Sequence, residues 1–146
     1  MRARLADDRG VAAVEFAFVS LLLLTILYGM ITFGFVFALD HNLTNAAAEG
    51  ARSAISEARV QPATPAGDLA VEQFAVDAAR DRLAFAAART NAVIQAEKDD
   101  CDYDPQIQCI TVTVDYDYDT YPLVPGYMGF DAWIGDLHNE ATVQLD

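Results

Sequence analysis

The chain has 146 residues and a formal net charge of −13, yet 53% of it is hydrophobic and its mean hydropathy is +0.17. The two tendencies separate along the chain: residues 1–39 carry three acids and three bases, while residues 40–146 carry nineteen acids and six bases. A polyanion repels phosphate backbones, which argues against a nucleic-acid partner, and the outer part is too apolar for a disordered acidic tail.

The first element is an apolar run from Val11 to Leu39, 29 residues whose single ionisable carboxylate is Glu15. As a helix it measures roughly 43 Å against a hydrocarbon core of about 30 Å, so it spans a bilayer with turns to spare. A cleaved secretory signal is the competing reading, but its apolar core runs to about 7–15 residues, and length favours a retained helix. Arg2, Arg4 and Arg9 precede the run and Asp40 follows it. The positive-inside rule then puts residues 1–10 in the cytoplasm and residues 40–146 outside.

Glu15 supports two readings. It is either an interfacial carboxylate in a helix first turn, favoured there by the helix dipole, or a group with a partner. The neighbours bear on the choice. Were the chain cut between Gly10 and Val11, the new amine would lie one helical turn from Glu15, on the same face. An amine at a helix N-terminus opposes the dipole and calls for a counter-ion, within the chain or from a stacked subunit. The cut would take the net charge from −13 to −14.

The stretch Arg9-Gly10-Val11-Ala12-Ala13-Val14-Glu15-Phe16-Ala17 resembles the processing site of type IV prepilins. More closely, it resembles the TadE-like minor pseudopilins of the tight-adherence (Tad/Flp) pilus. The segment Asn45-Ala46-Ala47-Ala48-Glu49-Gly50-Ala51-Arg52 is similar to that family's stretch just outside the membrane, and the β-rich C-terminus with its proline-containing loop is also similar. The resemblance implies that a prepilin peptidase cuts after Gly10 and that Glu15, followed by the aromatic Phe16, serves assembly. It further implies a single-pass protein of the bacterial inner membrane with a periplasmic domain. Its partners would be other pilins or pseudopilins and Tad assembly proteins.

Outside the apolar run, Leu43, Ala47, Gly50 and Ala54 fall on one helical face, so the first helix is expected to continue to about Ala58 and to pack against the protein's own domain. Pro62, Pro65 and Gly67 mark a loop, with Asp68 as the expected N-cap. A second helix is predicted from Leu69 to Ala96, with a stripe through Val71, Phe74, Ala75, Ala78, Arg82, Phe85 and Arg89 and a second apolar edge at Leu83, Ala86, Ala87 and Ile94, ended by the acidic stretch 99–104 and Pro105. Cys109 to Tyr118 alternates apolar and polar residues and predicts a half-buried strand. Ala141, Val143 and Leu145 predict a second, antiparallel to it, joined by a loop from Thr120 to Asn139. Two strands alone are marginal, which leaves room for a third. The fold class is therefore α+β: a long N-terminal transmembrane helix, a second helix and a small antiparallel sheet.

Candidate chemistry is sparse. Asp115, Asp117 and Asp119 form a D-x-D-x-D pattern, but the glycine and the closing glutamate of a calcium loop are missing, and a solvated acidic face is the favoured reading over a weak divalent site. Cys101 and Cys109 have neither C-x-x-C spacing nor enough histidines for a zinc site. Outside the cytoplasm a disulfide is their default; two free thiols would require cytoplasmic exposure. The apolar loop around Tyr121 to Ile134, with Trp133, is either a lid on the core or a contact surface. No nucleophile–base pair and no phosphate loop is present, so neither an enzyme nor a cofactor is expected. The alternative to a pilus component is a membrane-anchored module that binds a ligand or divalent metal, or else an accessory subunit of another membrane complex.

Overall fold

A computed structural model describes residues 4–62, 64–124 and 134–145, with side chains from Gly10 onward. The element order is α1 (Arg4–Ala58), α2 (Pro65–Arg82), α3 (Ala86–Asn91), β1 (Val93–Cys101), β2 (Asp104–Asp117) and β3 (Asp136–Gln144). The three strands form one antiparallel sheet in the order β1-β2-β3. The chain divides into two compact units, Met1–Phe35 and Val36–Asp146.

In the first unit the helix turns apolar side chains outward all round. Phe16, Phe18, Leu22, Leu23 and Met30 are all exposed, as a lipid-facing helix requires. Its length and composition suit a membrane span.

The second unit has a core built from α1 after Val36, from α2, and from the inner face of the sheet. The face Leu43, Ala47, Gly50 and Ala54 is buried, as its spacing predicts. Gly50 is where α1 meets α2 and β2: a Cβ there would lie 2.8 Å from the Ala75 carbonyl oxygen, 2.9 Å from Ala79 Cβ and 3.2 Å from Val112 Cγ1. Alternation in β2 also holds, with Ile110, Val112, Val114 and Tyr116 buried, and Tyr118 is buried just past its end.

The second helix differs from expectation in three respects. Its N-cap is Thr64, whose side chain accepts from the Gly67 amide, while Asp68 sits in the first turn. Pro65 occupies the start, where a missing N–H costs nothing. The buried stripe is Val71, Ala75, Ala79 and Leu83, and Phe74 is 43% exposed. At Ala75 and Ala79 the helix lies against Gly50, which leaves little room for a larger side chain at those two positions.

The helix also stops at Arg82 rather than Ala96. Leu83 leaves helical geometry, a six-residue α3 follows, and 93–101 becomes an edge strand. Ala96, Glu97 and Lys98 favour helices in isolation, but pairing with β2 overrides that preference. Ile94 faces Val114 and Ala96 faces Val112 on the core side. The acidic stretch therefore forms the end of β1 and its turn into β2, rather than a helix stop.

Candidate functional site

Val11 and Glu15 are separated by one turn of α1, and Gly10, Val11, Val14, Glu15 and Phe18 line a single shallow apolar face. Glu15 and Phe16 are both exposed on the helix surface. The geometry has the carboxylate on the face that an amine at position 11 would share. Side chains before Gly10, Arg9 among them, lie outside the described residues.

A polar clamp holds α1 in the second unit just past the apolar run. Asn42 Oδ1 accepts from the Ala84 amide at 2.9 Å, tying α1 to the end of α2. Asn139 of β3 donates to Asp40 Oδ1 at 3.1 Å and accepts from Thr44 Oγ1 at 2.6 Å. Arg89 caps the end of α2, its guanidinium donating to Leu83 O through Nη2 at 2.8 Å and Nε at 3.2 Å. None of these contacts is visible in the sequence, because each joins residues roughly 40 to 100 positions apart or depends on a turn.

The three aspartates take separate partners. Asp115 Oδ1 lies 2.5 Å from His138 Nδ1 across the β2–β3 register. That hydrogen bond and the carboxylate charge raise the His138 pKa above its ordinary value. Asp117 Oδ1 accepts from the Thr120 amide at 2.8 Å, and this turn lowers its pKa. Asp119 is exposed in the turn that follows. Among the described residues no group of three or more histidine, cysteine, aspartate or glutamate side chains is placed to hold a metal ion.

Cys101 and Cys109 form a disulfide with Cα atoms 5.1 Å apart, linking the end of β1 to β2. In the chain-entropy view a loop this short is worth about 2–3 kcal/mol. It borders an acidic groove lined by Glu97, Asp99, Asp100 and Asp102, with Tyr103 donating to Gln144 Oε1 at 2.9 Å.

Of the apolar loop, Leu123 and Ile134 pack against the core, and the Tyr121 carbonyl accepts from the Tyr116 hydroxyl at 2.6 Å. Its centre, residues 125–133 with Trp133, lies outside the described residues.

No curated protein and no solved structure matches the chain. The similarity that exists falls on the helix. It begins at the glycine of the proposed junction, includes Glu15 and Phe16, and ends at the arginine closing the alanine-rich segment, so the late strands are outside it. Residues 10–52, under a third of the chain, are similar to the family described as TadE-like protein.

Proposed function

We propose that the protein is a non-catalytic minor pseudopilin or assembly component of a tight-adherence pilus, held in the bacterial inner membrane by α1. Residues 1–10 are a cytoplasmic leader, 11–39 the membrane segment and 40–146 the periplasmic domain. A prepilin peptidase recognises Arg9-Gly10-Val11 and cuts after Gly10. The carboxylate of Glu15 then neutralises the new Val11 amine, in the same chain or in the adjoining subunit, with Phe16 beside it. The partners are other pilins or pseudopilins and the Tad assembly proteins. The observation that carries this reading is the match over 10–52, which starts at Gly10 and takes in the glutamate five positions on.

The periplasmic placement is supported by the basic start of the chain and by the disulfide, which persists in oxidising compartments. Intact mass of the membrane-extracted protein, from cells with and without the peptidase, tests the processing step. The expected mature chain begins at Val11 only where the peptidase is present; an uncut chain in both would overturn it. Glu15→Ala is expected to insert normally and to be lost from assembled complexes, as read by co-purification.

A further inference from the structure

We infer that the outer edge of β3, over residues 136–142, is a docking site for one extended segment of another protein: a strand of alternating basic and apolar side chains that adds to the sheet. The inference concerns the outer unit alone and does not depend on the pilus reading.

The ladder fixes which way each amide points. Leu145 N donates to Gln108 O at 2.9 Å, and the register pairs Val143 with Ile110, Ala141 with Val112 and Asn139 with Val114. Hydrogen-bonded pairs alternate along an antiparallel ladder, so the odd-numbered residues of β3 bond to β2. The amides and carbonyls of Asp136, His138, Glu140 and Thr142 therefore point away from the sheet. All four residues are exposed, and none of these backbone groups has a partner among the described residues. The opposite edge differs. There the same alternation turns Lys98 and Asp100 outward on β1, and their amides donate to Glu72 Oε1 at 3.1 Å and Asp99 Oδ1 at 2.8 Å. An open row of donors and acceptors is a template for another strand.

The two faces of β3 give the chemistry of the occupant. On the core side Leu137, Ala141 and Val143 are half-buried, while the β2 residues opposite them, Tyr116, Val112 and Ile110, are fully buried. Apolar side chains at alternate positions of an added strand would close that side. On the solvent side Asp136 and Glu140 stand at the edge, with Asp115 and Asp117 one strand further in. Lys98 is the sole lysine or arginine of the three strands, and it shares the core side with Ile94 and Ala96. Lysine or arginine at the intervening positions of the added strand would face the edge acids as cross-strand pairs. A second copy fits poorly, because it would bring the same acids to the edge in a chain of net charge −13.

The test titrates the full chain in micelles with an acetylated, amidated peptide of alternating lysine and valine, and reads amide hydrogen exchange by NMR. Saturating peptide should slow the amides of His138, Glu140 and Thr142 by roughly tenfold and leave those of Asn139 and Ala141, already in the ladder, unchanged. A peptide of alternating glutamate and valine should slow none of them. Nor should the lysine peptide N-methylated at every residue, which keeps the charge and loses the donors. Glu140→Pro removes an outward donor without touching a bond to β2 and should abolish the slowing, while protected Ala141 and Val143 amides report an intact sheet. No slowing by the lysine peptide, or equal slowing by its methylated form, would overturn the proposal whether or not the variant folds. So would slow exchange of these amides before any peptide is added. Release on dilution would then identify a second copy as the occupant, and persistence would identify residues 125–133 of the same chain.

Discussion

His138 and Asp115 show how one pair gives the outer sheet a pH dependence. Both are solvent-accessible, so the effect on stability is modest, but its sign follows from the chemistry. Asp115 raises the His138 pKa, so folding favours the protonated ring. The stabilisation is complete below the unfolded histidine pKa of about 6.5 and disappears as pH rises through the raised folded value. Titration of the His138 imidazole by NMR is expected to give a higher midpoint than in Asp115→Asn. The decline in stability of the outer unit over that window should be absent in His138→Gln. The pair was not legible in the sequence, since it depends on β2–β3 register. The proposal for Gly10, Glu15 and Phe16, by contrast, rests on a fixed short spacing, which can be read without tertiary information.

At the scale of elements, the contact between α1 and α2 is governed by Gly50. Glycine to alanine inside a helix ordinarily stabilises by about 1 kcal/mol. Here the added Cβ meets the Ala75 backbone carbonyl, which cannot yield without moving α2. Gly50→Ala is therefore expected to destabilise the outer unit by about 1–3 kcal/mol in denaturant unfolding, whereas Gly29→Ala, with open space around it, should leave that unit unchanged. The same contact explains what was readable in these elements. The face Leu43-Ala47-Gly50-Ala54 and the alternation of β2 are strong periodic signals imposed by a core. Residues 86–98 are not: alanine, glutamine, glutamate and lysine suit a helix, and only the neighbouring β2 makes β1 a strand. The stripe on α2 was misjudged at Phe74 for a related reason, since helical periodicity cannot reveal which turns of α2 lie closest to α1, as Ala75 and Ala79 do at Gly50.

At the scale of the molecule, Val36 and Leu39 serve two environments. By sequence they close a membrane segment; in the fold they open the core of the outer unit. The residues left to lipid, 11–35, still amount to roughly 37 Å of helix, more than the hydrocarbon thickness of about 30 Å. Leu39→Ala should thus leave membrane insertion intact while costing the outer unit about 2–5 kcal/mol, measured as loss of its cooperative unfolding in micelles.

Lys98 gives the molecule a further property. Its amide donates to Glu72 Oε1 and its ammonium pairs with Asp68, so α2 covers the outer edge of β1 at this point. It is also the sole lysine in the chain, and its side chain is only 13% exposed. An amine-directed reagent applied to the folded protein would thus find one shielded ε-amine and the α-amine of the chain. Labelling chemistry that is unselective on most proteins becomes here a reporter of the N-terminus, and locating the label by peptide mapping would show whether the amine is on Val11 or on an uncut leader.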